Sequence, residues 1–139
     1  AYTVLGDLDG ASEVLRAWLE DAPDDPVARH LQAACAGAVP PRASDAYVAT
    51  TFDRFAASFD AKLESLDYKA PMLVADALAR VLGDAPPGEG LDAGCGTGLC
   101  GPLIAPRLRR LVGVDLSAAM LERARARGVY DDLVKAELT

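Results

Sequence analysis

Basic side chains, cysteines and long apolar runs are all scarce in this chain, and each shortage closes a functional route. Lysine and arginine number 14 against 21 acidic residues, a net charge of −7, which disfavours a broad phosphate-tracking surface and makes nucleic acid a poor partner. The dense basic segments are "RLRRL" at 107–111 and "ERARARG" at 122–128. Both sit at helical spacing and read as solvated helix faces. No apolar run is long enough to span a bilayer, and no basic-apolar-small segment opens the chain as a signal peptide would require. The three cysteines, Cys35, Cys95 and Cys100, are odd in number and lack a staple pattern, so free thiols in a reducing cytoplasm are expected. Cys95 and Cys100 have no His or Cys partners at ligand spacing, so no metal site is expected. The single histidine, His30, falls in a helical segment and reads as exposed.

What remains is a chain of 139 residues, 51% apolar, long enough for a real core and about one domain in length. It is short for a complete nucleotide-binding enzyme with a helical appendage, and reads as a fragment. Ala11, Val14, Leu15, Trp18 and Leu19 form a helical stripe within residues 6–23, with Asp9 as N-cap and Pro23 as stop. A second helix is expected from Pro26 to Ala36, closed by Gly37. The spacing Gly6, Ala11, Leu15, Trp18, Pro23, followed by "PDDPVARHL", resembles a tetratricopeptide repeat, although stacked repeats need about three units. The resemblance implies a protein partner for these helices.

"AVPPRAS" at 38–44 reads as a linker ending in the N-cap Ser44. A helical segment then carries Phe52, Phe55 and Phe59 on one face, a face expected to pack in the core. The next helix starts at Pro71, presents Val74, Ala77, Leu78 and Val81 together, and ends at Gly83. The expected organisation is thus a helical hairpin over 1–37, the linker 38–44, lead-in helices over 45–83, and an α/β part over 84–139.

From residue 90 the period changes. A strand ends near Ala93, a helix is expected from Leu99 to Arg110, and a second strand over 111–115. Ser117 caps a helix that ends at Gly128, and an extended piece covers 133–138. This β-α-β-α-β alternation specifies a parallel, Rossmann-like sheet of about three strands. Leu91 is the one strong apolar residue of the first strand, and Pro106 should break the helix after the loop.

Between the first strand and its helix lies "LDAGCGTGLCG", 91–101. Glycines here open backbone angles closed to other residues and let a ligand approach the main chain. The loop falls at the carboxyl end of a parallel strand, where ligands bind in this architecture, and Asp115 closes the next strand where a carboxylate can accept from a ribose. Two frames fit. Gly96-x-Gly98-x-x-Gly101 with Asp115 is a dinucleotide fingerprint, implying a nicotinamide cofactor. Asp92-x-Gly94-x-Gly96-x-Gly98 puts an acid beside the loop, which would repel a pyrophosphate and suits a ligand carrying an amine. A third possibility is a non-catalytic helical interaction module joined to a half-sheet.

In the second frame the residues resemble the class I S-adenosylmethionine-dependent methyltransferases. "LDAGCGTG" is similar to that superfamily's first motif, "VGVDLSAAML" to its second, and "VKAEL" to its third strand. "AYVATTFDRFAASFDAKL" with "LDYKAPMLVADAL" resembles the lead-in helices of bacterial methyltransferases that carry tetratricopeptide repeats. The resemblance implies a methyltransferase with S-adenosylmethionine as cofactor and an acceptor that is not readable. It implies that Asp92 faces the methionine amino group, that Gly94, Cys95, Gly96 and Gly98 line the methionine and ribose, and that Asp115 binds the ribose diol. It further implies that Leu116 lies against the adenine, that Glu137 and the Leu138 main-chain N–H meet its edge, and that Met120 flanks the pocket, unless it simply fills core. Substrate-facing residues in that superfamily come largely from later strands, so no catalytic residue is assigned.

Overall fold

The computed structural model describes residues 6–38 and 40–138. Val39 of the expected linker lies outside them. The chain divides into two compact units, one running to Thr51 and the other from Phe52.

In the first unit, α1 spans Leu8–Asp21 and α2 spans Pro26–Cys35. Asp7, rather than Asp9, caps α1: its carboxylate accepts from the Gly10 N–H at 2.9 Å. Asp9 stands inside the first turn, where its charge complements the helix dipole. Asp25 caps α2 by accepting from both Val27 and Ala28, and Pro26 follows at the position that has no N–H to lose. Ala11, Leu15 and Ala28 are buried between these helices, but Val14 of the expected stripe is 51% exposed. His30 is not simply solvated. Its ring stacks on Tyr47 with centroids 3.8 Å apart.

Helix α3, Asp45–Ser65, begins with the Tyr47 N–H on the Ser44 hydroxyl and runs on into the second unit. Helix α4 covers Ala70–Leu82, with Pro71 in its first turn and Gly83 after its end. Its stripe forms but lies open: Val74 is 47% and Val81 83% exposed, and Pro71 is the one buried residue of the helix. The phenylalanine face also departs from expectation. Phe52 and Phe55 are each 41% exposed and meet Phe59 edge-on, at 6.3 and 5.8 Å between centroids.

The second unit is built on three parallel strands in the order β1-β2-β3: Gly88–Ala93, Leu108–Asp115 and Asp132–Lys135. Between β1 and β2 the expected long helix shrinks to α5, Gly101–Ile104, and a 3₁₀ turn at Ala105–Arg107. Pro106 has no N–H to continue the i→i−4 ladder, and although Ala105 keeps helical angles, φ −52° and ψ −39°, the α-helix gives way to the 3₁₀ turn there. "RLRRL" therefore enters the sheet as the start of β2. There Arg109 pairs with Glu89 of β1 at 2.9 Å, an exposed pair worth little. Helix α6, Ala118–Ala126, crosses from β2 to β3 and is capped by Ser117, which accepts from the Met120 N–H. Strand β3 stops three residues short of Leu138.

The core lies between α6 and the sheet. Leu111 and Met120 are each 1% exposed, and Tyr130 and Leu133 pack on a cluster of Cys95, Leu121 and Ala124. Full burial of a side chain such as Leu111 contributes ~1.5–3 kcal/mol.

Candidate functional site

The register of the sheet decides where the chemistry lies. Asp92 pairs with Gly113 and Ala93 with Val114, while Asp115 pairs with Lys135. Asp92, the glycine loop, Asp115 and the segment after β3 therefore share the carboxyl edge of three parallel strands, where unpaired backbone groups meet solvent.

The loop is anchored to β2 at its start: the Gly94 and Cys95 N–H groups both donate to the Val114 carbonyl, at 2.8 and 2.9 Å. Gly94, Gly96 and Gly98 all have positive φ, 73°, 55° and 77°, a region closed at low cost to residues other than glycine. Their surroundings differ. A Cβ at Gly96 would point into open space, whereas one at Gly98 would stand 2.9 Å from the Tyr130 ring and 3.1 Å from Ala124. Gly96 thus faces open space, and Gly98 faces the packed underside.

Asp115 ties loop to helix. One carboxylate oxygen accepts from the Gly96 N–H and the other from the Ser117 N–H, each at 2.8 Å. A carboxylate has about four acceptor positions, so this fixes its orientation and leaves lone pairs for a diol. Asp92 lies half-buried at the opposite side of the loop, and its Oδ2 accepts from the Tyr130 hydroxyl at 2.6 Å.

A cavity of about 200 Å³ opens beside the loop, bounded by Asp92, Gly94, Cys95, Gly96 and Thr97 on one side and by Phe59, Leu63, Tyr68 and Pro71 on the other. Asp92, Gly94, Cys95 and Gly96 are thus brought together. The Cys95 side chain, however, is buried in the core, and the surrounding apolar matter, with Asp92 and Asp115 nearby, pushes its thiol up to about 12. Cys95 offers the cavity its backbone. Gly98 is packed beneath the loop, and Met120, 1% exposed, fills core rather than lining this cavity. Leu116 is half-buried just past β2, Glu137 is half-buried and Leu138 is 54% exposed beyond β3. None of these three borders the cavity.

Four residues that local sequence patterns pass over hold this site. Asp53 on α3 accepts from the Ser117 hydroxyl and from the Ala119 N–H at 3.1 Å, and these bonds hold its carboxyl below the usual carboxylate range. Asp60, seven residues on, accepts from the Thr97 hydroxyl and from Arg127 at 2.7 Å. Arg127 also donates to the Thr97 carbonyl. Thr97 and Ser117 are each 1% exposed, and a buried hydroxyl without a partner costs about 1–3 kcal/mol. That need is the one sequence-level signal that could have led to the two acids. Tyr130 is the fourth.

The parallel sheet with its glycine loop and strand-end acids defines a nucleotide-type binding fold of the Rossmann-like class. Residues 91–139 match the family described as a methyltransferase domain. The chain is 44% identical over 85 residues to human methyltransferase-like protein 27, an alignment covering 59% of this chain and 34% of that protein. It is 41% identical over 83 residues to the malonyl-[acyl-carrier protein] O-methyltransferase of Serratia marcescens, covering 58% of this chain and 29% of that one. The chain thus spans about a third of the length of the curated relatives it matches. Among solved structures, the complex of DhpI with S-adenosylhomocysteine aligns with a TM-score of 0.49 at 25% identity, over 63% of this chain and 42% of that one. Among the described residues no helix is long and apolar enough to cross a membrane, and no cluster of His, Cys, Asp or Glu could hold a metal ion.

Proposed function

We propose that this chain binds S-adenosylmethionine at the carboxyl edge of β1 and β2 and serves methyl transfer to an acceptor. The observation that carries the proposal is the pairing of two acids with two different tasks across one glycine loop. Asp92 borders the cavity, where a carboxylate suits the ammonium of an amino-acid end. Asp115 is oriented by two backbone N–H groups and keeps acceptor positions for a ribose diol. Gly96, with open space where a Cβ would be, lets the nucleoside approach the main chain. These residues fit the cofactor in charge and donor set.

When bound, the cofactor supplies an already activated methyl group, and the protein has mainly to align partners and exclude water. Phe59, Leu63, Tyr68 and Pro71 form the apolar wall that performs the second task. Glu137 and Leu138 follow β3 and Leu116 follows β2 at the same sheet edge, and on this reading they serve the adenine. The nicotinamide alternative fares worse on physical grounds. Helix α5 is four residues long, too short to offer a pyrophosphate the dipole of a full helix.

On this reading residues 45–83 lead into the cofactor-binding part from 84 onward, in a cytoplasmic enzyme. The hairpin of α1 and α2, with its repeat-like spacing, engages a protein partner. The test is calorimetric titration with S-adenosylhomocysteine, with NAD as control. Saturable binding of the first alone, lost in Asp92→Ala, is expected. Binding of NAD alone, or retention of full affinity in Asp92→Ala, overturns the proposal.

A further inference from the structure

Tyr130 lies between α6 and β3, far in sequence from the glycine loop, yet three glycines of the sheet and loop are shaped around its ring. A Cβ at Gly98 would come within 2.9 Å of that ring, one at Gly101 within 2.8 Å, and one at Gly113 within 3.0 Å. The ring thus occupies the room that the absence of three side chains leaves, under the loop and beside β2. From this seat the hydroxyl reaches across to β1 and donates to Oδ2 of Asp92 at 2.6 Å, the length of a charge-assisted bond. Among the hydrogen bonds of the described residues this is the one Asp92 side-chain partner. Asp92 itself borders the cavity.

A carboxylate on a strand can rotate about two torsions. Fixing one oxygen fixes the plane of the group and so the direction of the other. We infer that Tyr130 is a positioning residue: it takes up one oxygen of Asp92 and thereby aims the second at the ammonium of the ligand's amino-acid end. The inference rests on the cofactor assignment above and adds to it how the acid is held. Burial and the adjacent Asp92 carboxylate both raise the phenol's ionisation range, so the hydroxyl remains a donor at every pH where the protein would work. The ring and the hydroxyl have separable duties. The ring supports the loop, and the hydroxyl orients the acid.

Tyr130→Phe separates them, because it keeps the ring and removes the donor. Affinity is measured by calorimetry for S-adenosylhomocysteine and for methylthioadenosine, which keeps the nucleoside and thioether but lacks the amino-acid end. The expected result is about tenfold weaker binding of S-adenosylhomocysteine, with methylthioadenosine held within about twofold. Combining Tyr130→Phe with Asp92→Asn should then cost less than the sum of the two changes, because both act through one bond. Equal weakening of both ligands would reduce Tyr130 to a support for the loop and overturn the inference, as would no weakening of either. If the unaltered chain holds neither ligand, the cofactor assignment itself fails, and the aiming role falls with it. Should the variant not fold, 3-fluorotyrosine incorporated into the unaltered chain gives a second readout. The fluorine resonance of Tyr130 should move with S-adenosylhomocysteine and stay in place with methylthioadenosine; movement with both overturns the inference.

Discussion

Replacing Gly98 and Gly96 by alanine, one at a time, should damage different properties of the same loop. Both glycines have positive φ, so each substitution forces a left-handed backbone on alanine, at roughly 1–2 kcal/mol. For Gly96 that is the whole structural cost, since nothing lies within 4 Å of the added Cβ. For Gly98 the methyl also meets the Tyr130 ring at 2.9 Å and the Ala124 backbone at 3.1 Å. The helix backbone has little freedom to retreat, and overpacking of this kind costs a further ~1–3 kcal/mol. Gly98→Ala is therefore expected to lose about 2–5 kcal/mol of stability and Gly96→Ala about 1–2. Ligand binding should reverse the order. With the nucleoside against Gly96 as proposed, the Gly96→Ala methyl should lower S-adenosylhomocysteine affinity by about tenfold or more, while folded Gly98→Ala should lose less. Urea denaturation followed by circular dichroism gives the stabilities, and calorimetry at a urea-free temperature where both variants are folded gives the affinities. Equal destabilisation by the two substitutions would refute the assignment of Gly98 to the packed side. Unchanged affinity in Gly96→Ala would refute the assignment of Gly96 to the ligand side.

Three further expectations concern the groups around the loop. Asp60→Ala strips the buried Thr97 hydroxyl of its acceptor and should cost about 1–3 kcal/mol in the same urea experiment; most of that loss should vanish when Thr97→Val is already present, and strict additivity would show that the two do not interact. Asp53 has its carboxyl held below the ordinary value of 3.8 by Ser117 and Ala119. Its contribution is fully present above 3.8 and is lost as pH falls through the lowered folded value, so a stability–pH curve should fall less steeply in acid for Asp53→Ala than for the unaltered chain. Cys95, buried and with its thiol pushed up to about 12, should stay unlabelled by iodoacetamide in the native protein near a pH of roughly 8 and take the reagent once denatured, as mass spectrometry would record.

The parts of this site that the sequence disclosed are those whose cause is local. A glycine loop after a strand, an acid at each of two strand ends and a serine before a helix each answer a need arising within a few residues. The lead-in helices were legible through their prolines and glycines for the same reason. "RLRRL" was misplaced because charges on the exposed end of a strand and on a helix face look alike over five residues, and only Pro106 pointed the other way. The carboxylates of α3 and the phenol of Tyr130 were missed for a different reason. Asp53 meets Ser117 across 64 positions, Asp60 meets Thr97 across 37, and Tyr130 meets Asp92 across 38. No periodicity encodes such pairings. Phe59 shows the same limit, since its helical spacing was plain while its place on a cavity wall depended on α4 and the loop.

The seven-residue interval between Asp53 and Asp60 makes α3 a measuring rod. At 1.5 Å per residue the two acids stand about 10 Å apart along the axis and nearly in line, since seven residues are close to two full turns. One meets the end of β2 and the other meets the loop after β1, so the rod matches the span between two neighbouring strand ends. Of the side chains in between, Ala56 is buried and Phe59 borders the cavity, while changes to the rest leave that match unaltered. Adding or removing a single residue would turn one acid by about 100° away from its hydroxyl. Over this interval the length of the chain is constrained far more tightly than its letters, and diverging copies of such a sequence would drift in composition while keeping the count.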